Sequence, residues 1–106
     1  MRIEYNFNLD RVDVPCFSVE AEEGPQKIFT LTTVILNVLA ERPRTDVIFH
    51  SPNPGDLTKK IGQFKQILGS APAAPKFEYT KGQEGSLGSS YYQWLSIHAT
   101  GDAAQG

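Results

Sequence analysis

Polar and apolar side chains alternate over residues 3–9. Because successive side chains of a strand point to opposite faces, this pattern predicts a strand with one buried and one solvent-exposed face. A turn over residues 10–15 would follow, and a second alternating segment over residues 17–21 predicts a strand that pairs antiparallel with the first. The buried face of the first strand would carry Ile3, Tyr5, Phe7 and Leu9.

Two patterns compete over residues 26–41. Helical spacing of the apolar residues favours a helix that begins near residue 25 or 27 and ends at Glu41, before Pro43. The β-branched run over residues 29–35 leaves a strand as the alternative. A helix here would be apolar on nearly all sides and therefore largely buried. The residues at helical spacing are Ile28, Leu31, Ile35, Val38 and Leu39.

The middle of the chain predicts a strand followed by a second helix. Residues 46–50 form a continuous apolar run, which is typical of a strand covered on both faces. Residues 51–55 interrupt it, Asp56 is a candidate N-cap, and Gly69 stands where helices usually stop. Residues 70–75 are a proline-containing connector. The buried face of the helix would carry Leu57, Ile61, Phe64 and Leu68.

The last third predicts a hairpin. Strands over residues 76–80 and 91–98 would flank a long, mobile tip over residues 81–89, which contains three glycines. The predicted order is therefore β-β-α-β-α-β-β, an α+β fold with two helices on one face of a mainly antiparallel sheet of about five strands. The length predicts one domain over residues 1–100 and a frayed tail over residues 101–106.

Composition and charge exclude several classes of protein. With 40% hydrophobic and 21% charged residues, the chain resembles ordinary globular proteins and not disordered ones. A net charge of −2 argues against nucleic-acid binding by the chain as a whole. A single cysteine cannot form an intramolecular disulfide, the first residues do not resemble a signal peptide, and no apolar run could span a membrane. We therefore expect a cytoplasmic protein without a membrane partner.

Charge is unevenly distributed along the chain. Residues 1–24 hold six acidic and two basic side chains, whereas residues 57–81 hold five lysines and one acidic side chain. The basic segment is a candidate for weak nucleic-acid binding through Lys59, Lys60 and Lys65, although solvated helix faces would produce the same pattern. We do not expect nucleic acid to be the partner.

The loop from His50 to Asp56 is the candidate ligand site. The alternative function is that of a small-molecule binder for an anionic ligand, or of a modest enzyme, that uses this loop. It would connect the end of a strand to the start of a helix, where exposed N–H groups favour an anion. No glycine-rich phosphate motif is present, and Asp56 would itself occupy the anion position, so an ordinary turn is the stronger interpretation. The candidate ligand-binding residues are His50, Ser51, Asn53 and Asp56.

Catalytic and metal-binding arrangements are weak in this sequence. Cys16 with His50 or His98 is the one thiol–imidazole option, and no GxSxG elbow or metal-ligand spacing occurs. We therefore predict no catalytic residues, no metal site and no cofactor. The carboxylates Asp10, Asp13, Glu20, Glu22 and Glu23 are predicted to be solvated.

Aromatic residues on the last hairpin point to a protein interface. Alternation sends Tyr92 and Trp94 to one face and Tyr91 to the other with Leu95 and Ile97, so one set would stay uncovered. The hairpin could also be an unprotected sheet edge. The sequence thus predicts a small non-catalytic protein-binding module that binds another protein and itself as a homodimer. Accessory or inhibitory proteins of mobile elements offer an analogy in size only. The candidate interface residues are Tyr79, Tyr91, Tyr92 and Trp94.

Overall fold

A computed structural model describes residues 1–21, 26–70 and 76–101 of the chain. The predicted α+β fold with two helices is confirmed, but the sheet has six strands instead of about five and is mixed. Residues 71–75 of the predicted connector and 102–106 of the predicted tail lie outside the described residues. The elements are β1 (Arg2–Asn6), β2 (Arg11–Val14), β3 (Phe17–Glu20), α1 (Lys27–Glu41), β4 (Arg44–Ser51), α2 (Pro54–Ser70), β5 (Lys76–Leu87) and β6 (Ser90–Gly101).

The additional strand, β2, lies where the sequence predicts a turn. Val12 is buried and alternates with Arg11 and Asp13, so this segment follows the period-two rule of a strand. β2 pairs with β1, and β3 pairs with β2, so the predicted pairing of residues 17–21 with the first strand is wrong. The turn comes earlier because the Asn6 carboxamide oxygen accepts the N–H groups of Asn8 and Leu9.

The same turn corrects one predicted core residue. Leu9 is exposed, because the chain leaves the sheet after Phe7 instead of continuing as a strand. Asp10 completes the turn at a φ of 50°, a left-handed conformation that aspartate adopts more readily than most residues. The buried apolar side chains of this segment therefore end at Phe7, one residue after β1.

The strands follow the order β3-β2-β1-β4-β6-β5, and β1–β4 is the single parallel pair among them. Tyr5 of β1 lies opposite Phe49 of β4, and both rings are buried beneath the helices. Phe7 and Phe49 stack with centroids 5.5 Å apart, and Phe64 of α2 meets Phe49 edge-on at 5.1 Å. This aromatic cluster fixes α2 against the centre of the sheet.

Residues 27–41 form a helix, so the strand alternative is wrong. Leu31, Ile35 and Leu39 are buried at helical spacing, and the Thr33 hydroxyl bonds the carbonyl oxygen of Phe29 one turn earlier. That bond satisfies a β-branched polar residue within a helix. The expectation of near-complete burial is not met, since Phe29 is exposed.

Two predictions about the neighbourhood of α2 need correction. The helix does not stop at Gly69 but includes Ser70. β4 is not fully covered on both faces: Val47 and Phe49 are buried beneath the helices, whereas His50 on the other face is half-exposed. We call that second face, which points away from α1 and α2, the open face. Ile48 is the one apolar residue of β4 on it.

The predicted long tip of the last hairpin is wrong. β5 continues to Leu87, and only Gly88 and Ser89 form the turn, with Gly88 at a φ of 64° as a two-residue hairpin requires. The earlier glycines lie within the strand. A Cβ atom built on Gly82 would lie 3.0 Å from Trp94 Cβ, and one built on Gly85 would lie 3.0 Å from the Tyr92 hydroxyl oxygen. No helix among the described residues is long and apolar enough to cross a membrane.

Candidate functional site

The loop between β4 and α2 is organised by its own side chains. Asn53, not Asp56, caps α2: its carboxamide oxygen accepts the Asp56 N–H at 3.0 Å. The buried Ser51 hydroxyl donates to Asp56 Oδ2 at 3.3 Å and accepts the Asn53 N–H at 3.2 Å. Asp56 also pairs with Lys60 one turn later, at 3.4 Å. A carboxylate of the chain therefore stands in the first turn of α2, where an anion would bind.

His50 does not join the other three predicted ligand residues. Alternation along β4 places it on the open face, whereas Ser51 points towards the helices. The His50 Nε2 atom lies 3.7 Å from Glu4 Oε1 of the neighbouring strand. The structure therefore brings Ser51, Asn53 and Asp56 together and leaves His50 apart from them.

The thiol–imidazole pairs considered from the sequence are far apart. Cys16 lies exposed in the turn between β2 and β3. His98 is on β6, three strands beyond β2, and at about 4.8 Å per strand this is more than ~14 Å away. His50 pairs with Asn6, at the end of β1 opposite to that turn. Across residues 1–21, 26–70 and 76–101, no three His, Cys, Asp or Glu side chains form a metal-binding group.

Within residues 1–21, the acidic side chains each have a structural partner. Asp10 Oδ2 accepts Lys27 Nζ at 3.0 Å, which connects the first turn to α1. A hydrogen bond from the Ser18 hydroxyl, with a second from Arg11, lowers the pKa of Asp13 below its usual value. Arg11 also lies 4.0 Å from Glu20. Glu22 and Glu23 lie outside the described residues.

The three lysines proposed for nucleic acid do not form one patch. Lys60 lies over the Phe7 ring at 5.5 Å and Lys65 over the Tyr79 ring at 5.2 Å, so each covers an edge of the core. Lys59 is exposed. The open face is no better suited to a polyanion, because acidic side chains outnumber the arginines there. Its acidic members are Glu4, Asp13, Glu20, Asp46 and Glu78, and its arginines are Arg2, Arg11 and Arg44.

The four predicted interface aromatics occupy both faces of the β5–β6 hairpin. Tyr79 and Tyr91 lie on the helix side, and burial raises the pKa of Tyr79. Tyr92 and Trp94 lie on the open face, where Tyr92 packs on Gly85 and the Arg2 guanidinium covers Trp94. They do not form one continuous surface. The sequence predicts that one of the two sets stays uncovered; on the helix side Leu95 and Ile97 are buried and Tyr91 is exposed.

The free edge of the sheet is the main unpaired feature of the hairpin. β5 has twelve residues, whereas β3, at the other edge, has four. Ala99 of β6 donates its N–H to the Pro43 carbonyl oxygen on the β4 side. Main-chain N–H and C=O groups alternate in direction along an antiparallel pair. The β5 residues opposite Ala99, Ile97 and Leu95 therefore direct their N–H and C=O groups away from β6. Those residues are Phe77, Tyr79 and Lys81.

A cleft lies between the first turns of α2 and the far half of the hairpin. Its volume is about 350 Å³. At the near half of β5, Phe77 and Tyr79 pack against the core beside α2, but Glu84 and Ser86 are exposed at the far half and do not fill the space. The cleft is lined by Leu57 and Ile61 of α2, by Glu84 and Ser86 of β5, and by Tyr91 and Gln93 of β6.

Comparisons of the chain with known protein families, with curated proteins and with solved structures find no match. The sequence analysis missed the cleft and the arginine that covers Trp94. The arginine had no local signal, because Arg2 and Trp94 are brought together only by the pairing of β1, β4 and β6. The cleft depends on the placement of α2. The sequence did contain a signal for the cleft: on the helix side of β5, the aromatic residues Phe77 and Tyr79 are followed by the small or polar residues Glu84 and Ser86.

Proposed function

We propose that this chain is a protein-binding module whose β5 edge accepts a further strand, and that a second copy of the chain is the partner. The observation that supports this proposal is the length of the free edge: twelve residues, with the main-chain groups of Phe77, Tyr79 and Lys81 directed outward. Main-chain hydrogen bonds of this kind drive strand addition between proteins. The aromatic rings no longer support the proposal, because they lie on both faces of the hairpin and do not form one continuous surface.

The residues of β5 suit pairing with themselves. In an antiparallel pair centred on Tyr79, each Glu78 would lie opposite Thr80 of the second copy, and each Phe77 opposite Lys81. No like charges would then face each other directly. The two six-stranded sheets would join into one, and a two-fold dimer is the usual symmetric solution. We retain the cytoplasmic location as part of this proposal, since exposed Cys16 requires no oxidising compartment.

The oligomeric state tests this proposal. Light scattering at about 100 μM, where an interface with micromolar Kd is mostly occupied, should give twice the mass of 11.7 kDa. Thr80 is exposed, so its substitutions should leave the fold intact. Thr80→Glu places a carboxylate opposite Glu78 of the second copy and should weaken the dimer about two- to thirty-fold, because the pair occurs twice. Thr80→Lys is the matched control and should leave the dimer unchanged or strengthen it.

A main-chain substitution gives an independent test. Lys81→Pro removes an N–H group that points off the edge, which a folded edge strand tolerates. It should abolish the dimer while circular dichroism stays unchanged, whereas Lys81→Ala should keep the dimer. A monomeric wild type, or equal dimerisation of Thr80→Glu and Thr80→Lys, contradicts the proposal.

A further inference from the structure

The cleft between α2 and the far half of the hairpin contains an acceptor that is held in place. Gln93 is 7% exposed, and its Nε2 atom donates to the Gly82 carbonyl oxygen at 3.2 Å and to the Trp94 carbonyl oxygen at 2.6 Å. Both amide hydrogens are therefore used. Gln93 lines the cleft, and no donor within the described part of the chain reaches its Oε1 atom. An acceptor that is held in place and has no donor within the described part of the chain favours a ligand with N–H donors.

The charge of the cleft also favours a ligand with N–H donors, in particular a cation. Glu84 is the single acidic or basic side chain among the described lining residues. Its partner Lys81 lies 3.1 Å away, but about two thirds of each side chain is exposed, so this ion pair is weak and a bound cation can compete with it. Carboxylate and amide oxygens together present acceptors and no donors.

The α2 wall of the cleft is apolar, and the hairpin wall adds an aromatic ring. Leu57 and Ile61 contribute aliphatic surface from α2, and the Tyr91 ring, which is 37% exposed, adds an aromatic face. Such a ring attracts both a flat apolar group and a cation. The Thr58 hydroxyl donates to the Pro54 carbonyl oxygen, so that donor is already used. Apolar walls with a few placed polar groups are the usual form of a small-molecule site.

We propose that this cleft binds a small organic cation: a flat, apolar body that packs on Leu57, Ile61 and Tyr91, with an amidinium or ammonium group directed at Glu84 and Gln93. The site does not use the outward main-chain groups of β5. It is therefore independent of strand addition at Phe77–Lys81, and a monomeric variant should keep it.

Three probes of nearly equal shape test the charge preference: benzamidine, benzamide and benzoate. The uniformly ¹⁵N-labelled full chain is titrated with each and followed by two-dimensional NMR. Benzamidine should shift the amide signals of residues 57–61, 84–86 and 91–93, with benzamide weaker and benzoate weakest. Equal binding of the three probes, or benzamidine shifts confined to other parts of the chain, overturns the proposal.

Two substitutions and two controls complete the test. Glu84→Gln should weaken benzamidine about three- to five-fold, the effect of losing an exposed charge pair, and should leave benzamide unchanged. Glu78→Gln, on the same strand but on the open face, should change neither probe. Ser86→Phe should fill the cleft and abolish binding. Thr80→Glu should retain benzamidine binding even where it disrupts the dimer, so the two proposals can fail separately. Unchanged benzamidine affinity in Glu84→Gln contradicts the site.

Discussion

The Arg2 guanidinium carbon lies 4.7 Å from the centre of the Trp94 ring, although β4 separates the strands that carry these two residues. Ile48 of β4 lies directly opposite Trp94 and is 3% exposed, even though α1 and α2 lie on the other face of the sheet. Arg2 and Trp94 therefore cover apolar surface on the open face, as the helices cover the larger apolar surface of the other face. An arginine stem can cover apolar surface while its charge stays in water.

The Arg2–Trp94 contact should be measurable as a coupling energy. In a double-mutant cycle of Arg2→Ala and Trp94→Leu, urea denaturation should give a coupling of about 0.5–1 kcal/mol, typical of a partly exposed cation–π pair. Arg44→Ala is the matched control, because Arg44 is an exposed arginine of the same face and lies opposite His98. It should show no coupling with Trp94→Leu. Additive effects of Arg2→Ala and Trp94→Leu would show that the contact does not stabilise the fold.

Capping of α2 distinguishes Asn53 from Asp56. Asn53→Ala removes the acceptor for the Asp56 N–H and should lower the free energy of unfolding by about 1 kcal/mol. Asp56→Asn keeps a polar group beside Ser51 and should cost less, about 0.3–1 kcal/mol from the lost charge at the helix start. Asn37→Ala, at an exposed position within α1, is the control and should cost nothing. If Asp56→Asn costs more than Asn53→Ala, the assignment of the cap is wrong.

The loop before α2 shows how far the sequence could define a site. The position of the loop between a strand and a helix could be predicted from the apolar run before it and the periodicity after it. Residue type alone does not decide which residue caps the helix, because Asn53 and Asp56 are both good N-caps and the choice depends on where the first turn begins. Pro54, favourable at the first helical position, is the signal that indicates Asn53.

Alanine substitutions of two glycines within secondary-structure elements should change the free energy of unfolding in opposite directions. A Cβ atom on Gly82 would meet Trp94 Cβ, which cannot move without its backbone, so Gly82→Ala should lower the free energy of unfolding by about 1–3 kcal/mol. Gly62 lies in the interior of α2, and nothing lies within 4 Å of a Cβ atom built there. Gly62→Ala should therefore stabilise the chain by about 0.5–1 kcal/mol. Denaturation curves measure both, and a stabilising Gly82→Ala would contradict the close packing of Gly82 on Trp94.

The sequence predicts a turn over residues 10–15 and a long hairpin tip over residues 81–89, and both predictions are wrong for the same physical reason. Residue types that favour turns, such as Asp13, Gly82 and Gly85, lie in strands here because neighbouring strands determine their environment. Gly82 and Gly85 leave room for the side chains of Trp94 and Tyr92 on β6. The sequence alone does not show which residues of β6 lie opposite these glycines. α1 could be predicted despite its β-branched residues, because the spacing of Leu31, Ile35 and Leu39 is local information. The edge position of the last hairpin was likewise predictable, but its cleft was not.

Buried Tyr5 should make stability depend on alkaline pH. Burial, and secondarily the charge of Asp10, raise the pKa of the Tyr5 phenol well above its usual value. Below about pH 10 the phenol is neutral in the folded and unfolded states, so it contributes no pH dependence there. Above that value the Tyr5 phenol ionises in the unfolded state but not in the folded state. Stability is therefore lost as pH rises, at about 1.4 kcal/mol per pH unit.

Tyr5→Phe keeps the ring that packs on Phe7 and Phe49 but cannot ionise. Its free energy of unfolding should rise relative to that of the wild type by about 1.4 kcal/mol between pH 9 and pH 11. Tyr91→Phe is the control: Tyr91 is exposed, so this variant should follow the wild-type pH dependence. Lysine titration is common to all three proteins and cancels in the comparison. If Tyr5→Phe and Tyr91→Phe lose stability in parallel, the Tyr5 hydroxyl is accessible to water and the core at the end of β1 is more open than its burial implies.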